Sequence, residues 1–157
     1  MNENRLTIHS PAAQHGQPSA DFLPPSSPQT EILPPARVLL AEDYRQLAKL
    51  MERALAQAGY EVTVVHDGRA AIDRLGANSV DLAILDLDLP KLGGLEVCHF
   101  LRCQPQLQRL RVILCTGRNG ANDHARAREL GINAFISKPF GLPEFLQSVR
   151  EVLALAN

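Results

Sequence analysis

The sequence lacks the features that define several protein classes. No stretch approaches the ~18 consecutive apolar residues that a membrane-spanning helix needs, and residues 1–10 hold no apolar segment of the secretory-signal kind. The net charge is only −1, whereas a dedicated nucleic-acid binder is expected to carry an excess of lysine and arginine. We therefore expect a cytoplasmic protein with neither a membrane nor a nucleic acid as its partner.

Cysteine is scarce and poorly spaced. The chain has three cysteines, Cys98, Cys103 and Cys115, an odd number with no C-x-x-C pair. A small secreted domain would need paired cysteines, and zinc or redox sites need closer spacing. The sequence predicts three reduced thiols, two on a helix and one in a strand.

Proline is concentrated at the start of the chain. Seven of the eleven prolines lie in residues 1–35, among serine, glutamine, alanine and glycine. Proline removes backbone donors and disfavours a helical residue before it, and apolar residues there are too few to offset the entropy of ordering. We predict a disordered extension over residues 1–35 and a folded domain over residues 36–157.

After residue 35 short apolar runs alternate with amphipathic stretches. The apolar strands are largely continuous, as expected when both faces of a sheet are covered, and their alternation with helices predicts an α/β fold with a parallel, doubly wound sheet. In such a sheet ligands bind at the carboxyl ends of the strands. The predicted strands are 37–41, 61–65, 81–86, 111–116 and 133–137, and the predicted helices are 44–58, 68–76, 94–103, 121–130 and 142–155.

Polar residues stand where these strands end. Several carboxylates meeting in an apolar-walled cleft would repel one another, and Mg²⁺, which binds oxygen ligands and phosphates, resolves that conflict. A lysine and a hydroxyl at the same edge suit the oxygens of a phosphoryl group. The residues are Glu42 and Asp43 after the first strand, Asp86 and Asp88 at the third, Thr116 at the fourth and Lys138 after the fifth.

These motifs resemble the receiver domain of two-component response regulators. The acidic pair at 42–43 is followed by DLAILDLDLP at 81–90, VILCTG at 112–117 and FISKPF at 135–140. One motif alone would be weak evidence, but four in order, each at the end of the appropriate strand, are strong evidence. The resemblance covers about residues 36–156 and implies a flavodoxin-like (βα)5 fold with strand order 2-1-3-4-5.

The resemblance implies a role for each matched residue. Asp86 would accept a phosphoryl group from a sensor histidine kinase or a histidine phosphotransfer protein, and Lys138 would hold that group. Thr116 would move toward a phosphoryl oxygen and Phe135 would change rotamer with it. The Lys138–Pro139 peptide bond would be cis, as an X-Pro bond permits at small cost.

The resemblance also implies the ligands of Mg²⁺. Asp43 and Asp86 would supply carboxylates, Asp88 would supply its backbone carbonyl, and Glu42 would act through a bound water. Glu42 stands where the family usually has aspartate, a longer side chain that still suits a water-mediated contact. Asp88 and Arg118 occupy positions that vary in the family and bear on the lifetime of the phosphorylated state.

The sequence also carries expectations about output. The last predicted helix ends close to Asn157, so we expect no attached output domain and no enzyme activity beyond the domain's own phosphorylation and dephosphorylation. Output would then pass through an unknown downstream protein, through onward transfer of the phosphoryl group, or through a homodimer. The dimer would use the face formed by the fourth helix, fifth strand and fifth helix.

Three alternatives belong to other classes. A degenerate or phosphorylation-independent receiver would act as a protein-binding module, although this sequence keeps the acidic pair, the acceptor and the lysine. Asp86 and Asp88 resemble the D-x-D motif of haloacid-dehalogenase-type phosphatases, but there the motif strand comes first. A flavin carrier would need a phosphate-binding loop after the first strand, where Glu42 and Asp43 would repel phosphate.

Overall fold

The computed structural model describes residues 33–118 and 120–155. The predicted disordered extension lies, up to residue 32, outside these residues. Strands and helices alternate through the described part of the chain. They are β1 (Arg37–Ala41), α1 (Arg45–Gln57), β2 (Glu61–Val65), α2 (Gly68–Ala77), β3 (Leu82–Asp86), α3 (Gly94–Cys103), β4 (Arg111–Thr116), α4 (Ala121–Glu129), β5 (Ala134–Ser137) and α5 (Leu142–Ala154).

The five strands form one parallel sheet in the order β2-β1-β3-β4-β5. This confirms the predicted doubly wound fold and its strand order. The order reverses between β1 and β3, which places a ligand-binding crevice outside the carboxyl ends of these two strands. Residues that follow β1, β3, β4 and β5 therefore meet at one edge of the sheet.

Burial differs between the central and the edge strands. From its second residue onward β1 is buried, and β3 is buried throughout, because helices cover both faces of the sheet. Neighbouring residues face opposite sides, so Leu39 and Leu40 belong to separate core clusters. The edge strand β2 instead alternates exposed and half-buried residues until Val65, which is buried, and this departs from the predicted continuous burial.

The helices begin and end within one residue of the predicted positions. The side chain of Asp67 caps α2 by accepting a hydrogen bond from the Ala70 amide at 2.8 Å, as residue type and position predict. Gly59 follows α1 with φ of +93°, a conformation that only glycine adopts readily. Leu50 departs from the expected pattern, since this apolar residue of α1 is 49% exposed. None of the helices within 33–118 and 120–155 has the length and hydrophobicity to span a bilayer.

Arg102, near the end of α3, joins two loops at the amino edge of the sheet. Its guanidinium donates hydrogen bonds to the carbonyls of Leu130 at 2.7 Å, Leu110 at 3.1 Å and Gly131 at 3.3 Å. The Leu130 and Gly131 carbonyls follow α4, where a helix has no backbone partner for its last carbonyl groups. One planar, five-donor side chain thus holds the end of α4 against the start of β4.

We expect Arg102→Leu to lower the free energy of unfolding by about 2 kcal/mol, because hydrogen bonds to a charged group are lost while water reaches part of the freed carbonyls. Urea denaturation measures the change. Arg102→Lys should recover only part of the loss, since an ammonium cannot reproduce the fork geometry. Equal stability of wild type and Arg102→Leu would show that these contacts contribute nothing.

The three cysteines are free thiols, as predicted, and they differ in exposure. Cys98 and Cys115 are buried and Cys103 is exposed. Burial raises the pKa of the Cys98 thiol and of the Cys115 thiol to about 12. Because the thiolate is the reactive form, both buried thiols should be inert at neutral pH.

We therefore expect iodoacetamide at pH 8 to modify Cys103 alone in the folded protein. Peptide mapping after a short exposure measures this, and the same treatment in urea should modify all three thiols. Rapid modification of Cys98 or Cys115 without denaturant would contradict the described packing.

Candidate functional site

Three acidic residues meet at the carboxyl edge of the sheet. Glu42 and Asp43 follow β1 directly, and Asp86 is the last residue of β3. One carboxylate oxygen from each lies within 4.8 Å of the others. Glu42 and Asp86 are buried and Asp43 is exposed, so the cluster opens to solvent on one side.

Glu42 is almost fully buried, with 1% of its surface exposed. Its amide continues the β1–β2 pairing by donating to the Val65 carbonyl at 3.1 Å. Its side chain accepts from the Lys138 ammonium at 2.7 Å and from the Tyr44 amide at 3.1 Å. Burial raises the pKa of Glu42, with the nearby Asp86 charge acting in the same direction and the Lys138 hydrogen bond opposing it.

Lys138 is the cation of the cluster. Its ammonium lies 2.7 Å from a Glu42 oxygen and 3.3 Å from Oδ2 of Asp86. Burial alone would lower the pKa of Lys138, but the hydrogen bond from the ammonium to Glu42 and the charges of Asp86 and Glu42 outweigh it and raise the pKa. The Lys138 amide donates to the Thr116 carbonyl at 2.6 Å, and the Lys138–Pro139 peptide bond is cis, as expected.

Asp86 is held by the tight turn that follows it. Its Oδ1 accepts a hydrogen bond from the Asp88 amide at 3.3 Å. The Leu87 amide donates to the Cys115 carbonyl at 2.8 Å, which ties the turn to β4. A Cβ atom on Gly94 would lie 2.5 Å from the Asp86 carbonyl oxygen, so α3 packs this close only because residue 94 is glycine.

Thr116, Arg118 and Asp88 form the rim on the β4 side. Thr116 is fully buried, and its hydroxyl accepts a hydrogen bond from the Arg118 amide at 2.9 Å. The Arg118 guanidinium forms an ion pair with the Asp88 carboxylate. The charge of Asp88 is therefore paired. This ion pair connects the loop after β3 with the loop after β4.

Phe135 lies on β5, and its ring contacts the imidazole of His124 on α4. The ring centroids are 3.9 Å apart, with an interplanar angle of 37°. A contact between His124 and Phe135 was not predicted from the sequence. The composition of α4 could have indicated it. Few other side chains of this helix are apolar, so few of them could cover the Phe135 ring.

His66 makes a second contact with the site that was not predicted from the sequence. It follows β2, is half-buried, and its Nδ1 lies 2.8 Å from the Glu42 carbonyl oxygen. Its position directly after a strand, at the same edge as the acidic pair, was the signal that could have found it. This contact helps to fix the backbone from which the Glu42 side chain enters the cluster.

The arrangement suits chemistry on a phosphoryl group. Carboxylate oxygens are the ligands that hard divalent cations such as Mg²⁺ prefer, and the cluster of Glu42, Asp43 and Asp86 supplies them. The Lys138 ammonium stands beside the Asp86 carboxylate, where it would neutralise added negative charge.

Residues 38–150 match the family model described as the response regulator receiver domain. The chain belongs to this family. Two curated relatives of this receiver domain are the transcriptional regulatory protein TctD of Salmonella typhimurium (strain SL1344), 40% identical over 117 residues, and the response regulator ArlR of Staphylococcus haemolyticus, 34% identical over 116 residues. The matches cover 74% of this chain but 51% and 52% of the relatives, so this receiver domain spans about half the length of the curated relatives it matches.

Solved structures give the same assignment. The non-phosphorylated HemR receiver domain of Leptospira biflexa has a TM-score of 0.72 and 32% identity, covering 78% of this receiver domain and 97% of that chain. The chemotaxis response regulator CheY4 of Vibrio cholerae has a TM-score of 0.71 and 25% identity, covering 75% and 98%. The predicted family and fold are confirmed, whereas the phosphatase and flavin-carrier alternatives belong to other families.

Proposed function

We propose that this chain is a phosphoacceptor signalling module in which Asp86 takes a phosphoryl group from a phosphohistidine. The donor would be a sensor histidine kinase or a histidine phosphotransfer protein, in keeping with a family that works with histidine kinases and downstream targets. The observation that carries the proposal is the placement of Asp86. Asp86 is 6% exposed, and its carboxylate has the Lys138 ammonium beside one oxygen and the acidic pair next to it.

The proposed reaction is a single phosphoryl transfer. An Asp86 carboxylate oxygen forms a bond to phosphorus while the phosphorus–nitrogen bond to the donor histidine breaks. The histidine nitrogen leaves with the bonding electron pair. The protein contributes positioning and charge neutralisation rather than covalent steps. Lys138 and the Thr116 hydroxyl are the side chains that would contact the phosphoryl oxygens.

The residues present fit a bound Mg²⁺. Asp43 and Asp86 would hold it through carboxylates, Glu42 through a bound water and Asp88 through its backbone carbonyl, an all-oxygen set. Bound there, the ion would neutralise the carboxylates and the incoming phosphoryl oxygens. Without the ion, Lys138 alone offsets the buried acidic charge within the described residues at this edge.

The proposed switch from the site to the protein surface uses three side chains, those of Lys138, Thr116 and Phe135. The Lys138 ammonium would leave Glu42 for the phosphoryl group, and the Thr116 hydroxyl would donate to a phosphoryl oxygen. A change of Phe135 rotamer would then break its ring contact with His124, which lies on α4. The face formed by α4, β5 and α5 is thus the proposed surface for a downstream protein or for a second copy of this chain.

Phosphorylation by acetyl phosphate tests the proposal. Incubation with Mg²⁺ should add one phosphoryl group per chain by intact mass, and incubation with EDTA should add none. An adduct that forms equally well with EDTA would contradict the proposed role of the ion. A chain that gains no phosphoryl group and forms no complex with beryllofluoride would support the alternative of a phosphorylation-independent binding module.

We also propose that this chain has no attached output domain and that it is cytoplasmic. The curated relatives are about twice as long as this chain's matching region, so the expected absence of an output domain needs its own test. Intact mass of the protein from its native source would provide it. The cytoplasmic location is proposed because the expected donor, a sensor kinase, presents its phosphohistidine in the cytoplasm.

A further inference from the structure

The loop between β3 and α3, residues 87–93, carries the proposed Asp88 carbonyl ligand. The loop is closed at its base, where the Gly94 amide donates to the Leu87 carbonyl at 3.0 Å. Leu87 and Leu89 point into the core and are 5% and 6% exposed. These contacts fix the first part of the loop, and Leu92, in the tip formed by residues 90–92, is partly buried against the same core cluster.

The tip of the loop rests on the start of α2. The Gly68 amide donates a hydrogen bond to the Pro90 carbonyl at 3.2 Å. A Cβ atom on Gly68 would lie 1.9 Å from the Leu92 carbonyl oxygen, a distance no side chain permits. The two backbones are therefore in direct contact, which requires glycine at position 68.

Lys91 and Asp67 connect the same two segments through their side chains. Lys91 has φ of +67°, which places this lysine in the left-handed region. Its ammonium lies 2.9 Å from Oδ2 of Asp67, while Oδ1 of Asp67 accepts the Ala70 amide at 2.8 Å. An exposed ion pair usually contributes little because both side chains must be immobilised. Here the carboxylate is already fixed by its capping bond, so less conformational freedom is lost.

We propose that Asp67 and Lys91 are positioning residues that hold the β3–α3 loop on α2 and so present the Asp88 carbonyl to Mg²⁺. The consequence for Mg²⁺ rests on the proposed function. That the loop is held on α2 does not depend on the proposed function, because it follows from the contacts of Asp67, Gly68 and Lys91 with one another and with the loop backbone.

Variants that remove one charge distinguish the positioning of the loop from the effect of net charge on Mg²⁺ affinity. Asp67→Asn keeps a capping oxygen but removes the ion pair, and Lys91→Gln removes its cation. Loss of a positive charge near an acidic cluster should by itself tighten Mg²⁺ binding. The positioning role predicts the opposite, a roughly tenfold weaker affinity, at the low end of what losing a supporting contact costs a metal site. The double variant should be no weaker than either single variant.

Matched controls come from the exposed Arg69–Asp73 ion pair on the same helix, whose atoms are 3.3 Å apart. Asp73→Asn and Arg69→Gln make the same charge changes as Asp67→Asn and Lys91→Gln without touching the loop. Mg²⁺ titration calorimetry measures affinity, and hydrogen exchange of the backbone amides of residues 88, 89, 91 and 92 measures loop opening. Both measurements use the unphosphorylated full chain.

The expected result is weaker Mg²⁺ binding and faster loop exchange in Asp67→Asn and Lys91→Gln, with neither change in the controls. Affinity and exchange that match those of the controls would overturn the proposal, as would tighter Mg²⁺ binding by Lys91→Gln. If wild type binds no Mg²⁺, the metal step of the proposed function fails and loop exchange alone decides: faster exchange supports the positioning role and unchanged exchange refutes it.

Discussion

An Asp86→Asn variant is expected to stay folded and to take up no phosphoryl group from acetyl phosphate. The amide keeps the shape of the side chain but lacks the nucleophilic oxygen. It also removes one of the like charges at the cluster, while Lys138 keeps its shorter contact with Glu42 at 2.7 Å. The thermal midpoint should therefore equal or exceed that of wild type. Intact mass with Mg²⁺ and acetyl phosphate, beside a thermal melt, measures both properties.

Asp73→Asn is the control for this loss, since Asp73 is an exposed carboxylate on α2. It should accept one phosphoryl group as wild type does. The assignment of Asp86 would be wrong if Asp86→Asn gained a phosphoryl group at the wild-type rate and stoichiometry. Unfolding of the variant would be visible in the melt, and beryllofluoride binding to wild type would then test the site without a substitution.

A Lys138→Met variant is expected to lose about 2–3 kcal/mol of stability in the absence of Mg²⁺. Its Glu42 carboxylate, 1% exposed, would be left without a cation. Breaking a fully buried ion pair costs about 3–5 kcal/mol, and the Lys138 side chain is 20% exposed, which reduces the loss. Urea denaturation in EDTA measures the change. Phosphorylation by acetyl phosphate should also slow, because the group proposed to contact the phosphoryl oxygens is gone.

Two comparisons show whether the unpaired Glu42 carboxylate causes the loss of stability in Lys138→Met. The double variant Glu42→Gln/Lys138→Met removes the unpaired carboxylate and should recover most of the stability. Mg²⁺ should raise the melting temperature of Lys138→Met more than that of wild type, because the ion supplies the missing positive charge. A double variant as unstable as Lys138→Met would show that packing of the lysine stem, and not its charge, is what matters.

The positions of the main site residues could be predicted because they stand at strand ends. A continuous apolar strand such as β3 fixes the point at which the chain leaves the sheet. In a parallel sheet those points share one edge, so Asp86 and the acidic pair were expected to lie together. The family resemblance then assigned each of them a role, and those roles stay predictions.

The contacts that the sequence did not reveal join distant parts of the chain. The preference of Lys138 for Glu42 over Asp86 rests on two distances from its ammonium, 2.7 Å to the Glu42 carboxylate and 3.3 Å to the Asp86 carboxylate. The ring contact of His124 with Phe135 depends on how α4 packs on β5. Neither the residue type nor the local pattern specifies such distances, because they are set by the packing of whole elements.

Locating the phosphoryl group on the chain tests directly whether Asp86 is the acceptor. Borohydride reduces an aspartyl phosphate to homoserine, so phosphorylated wild type can be reduced, digested with trypsin and sequenced by mass spectrometry. We predict homoserine at position 86, within the tryptic peptide of residues 75–91, and only when Mg²⁺ was present during phosphorylation. Homoserine at Asp43 or Asp88 with an unmodified Asp86 would contradict it.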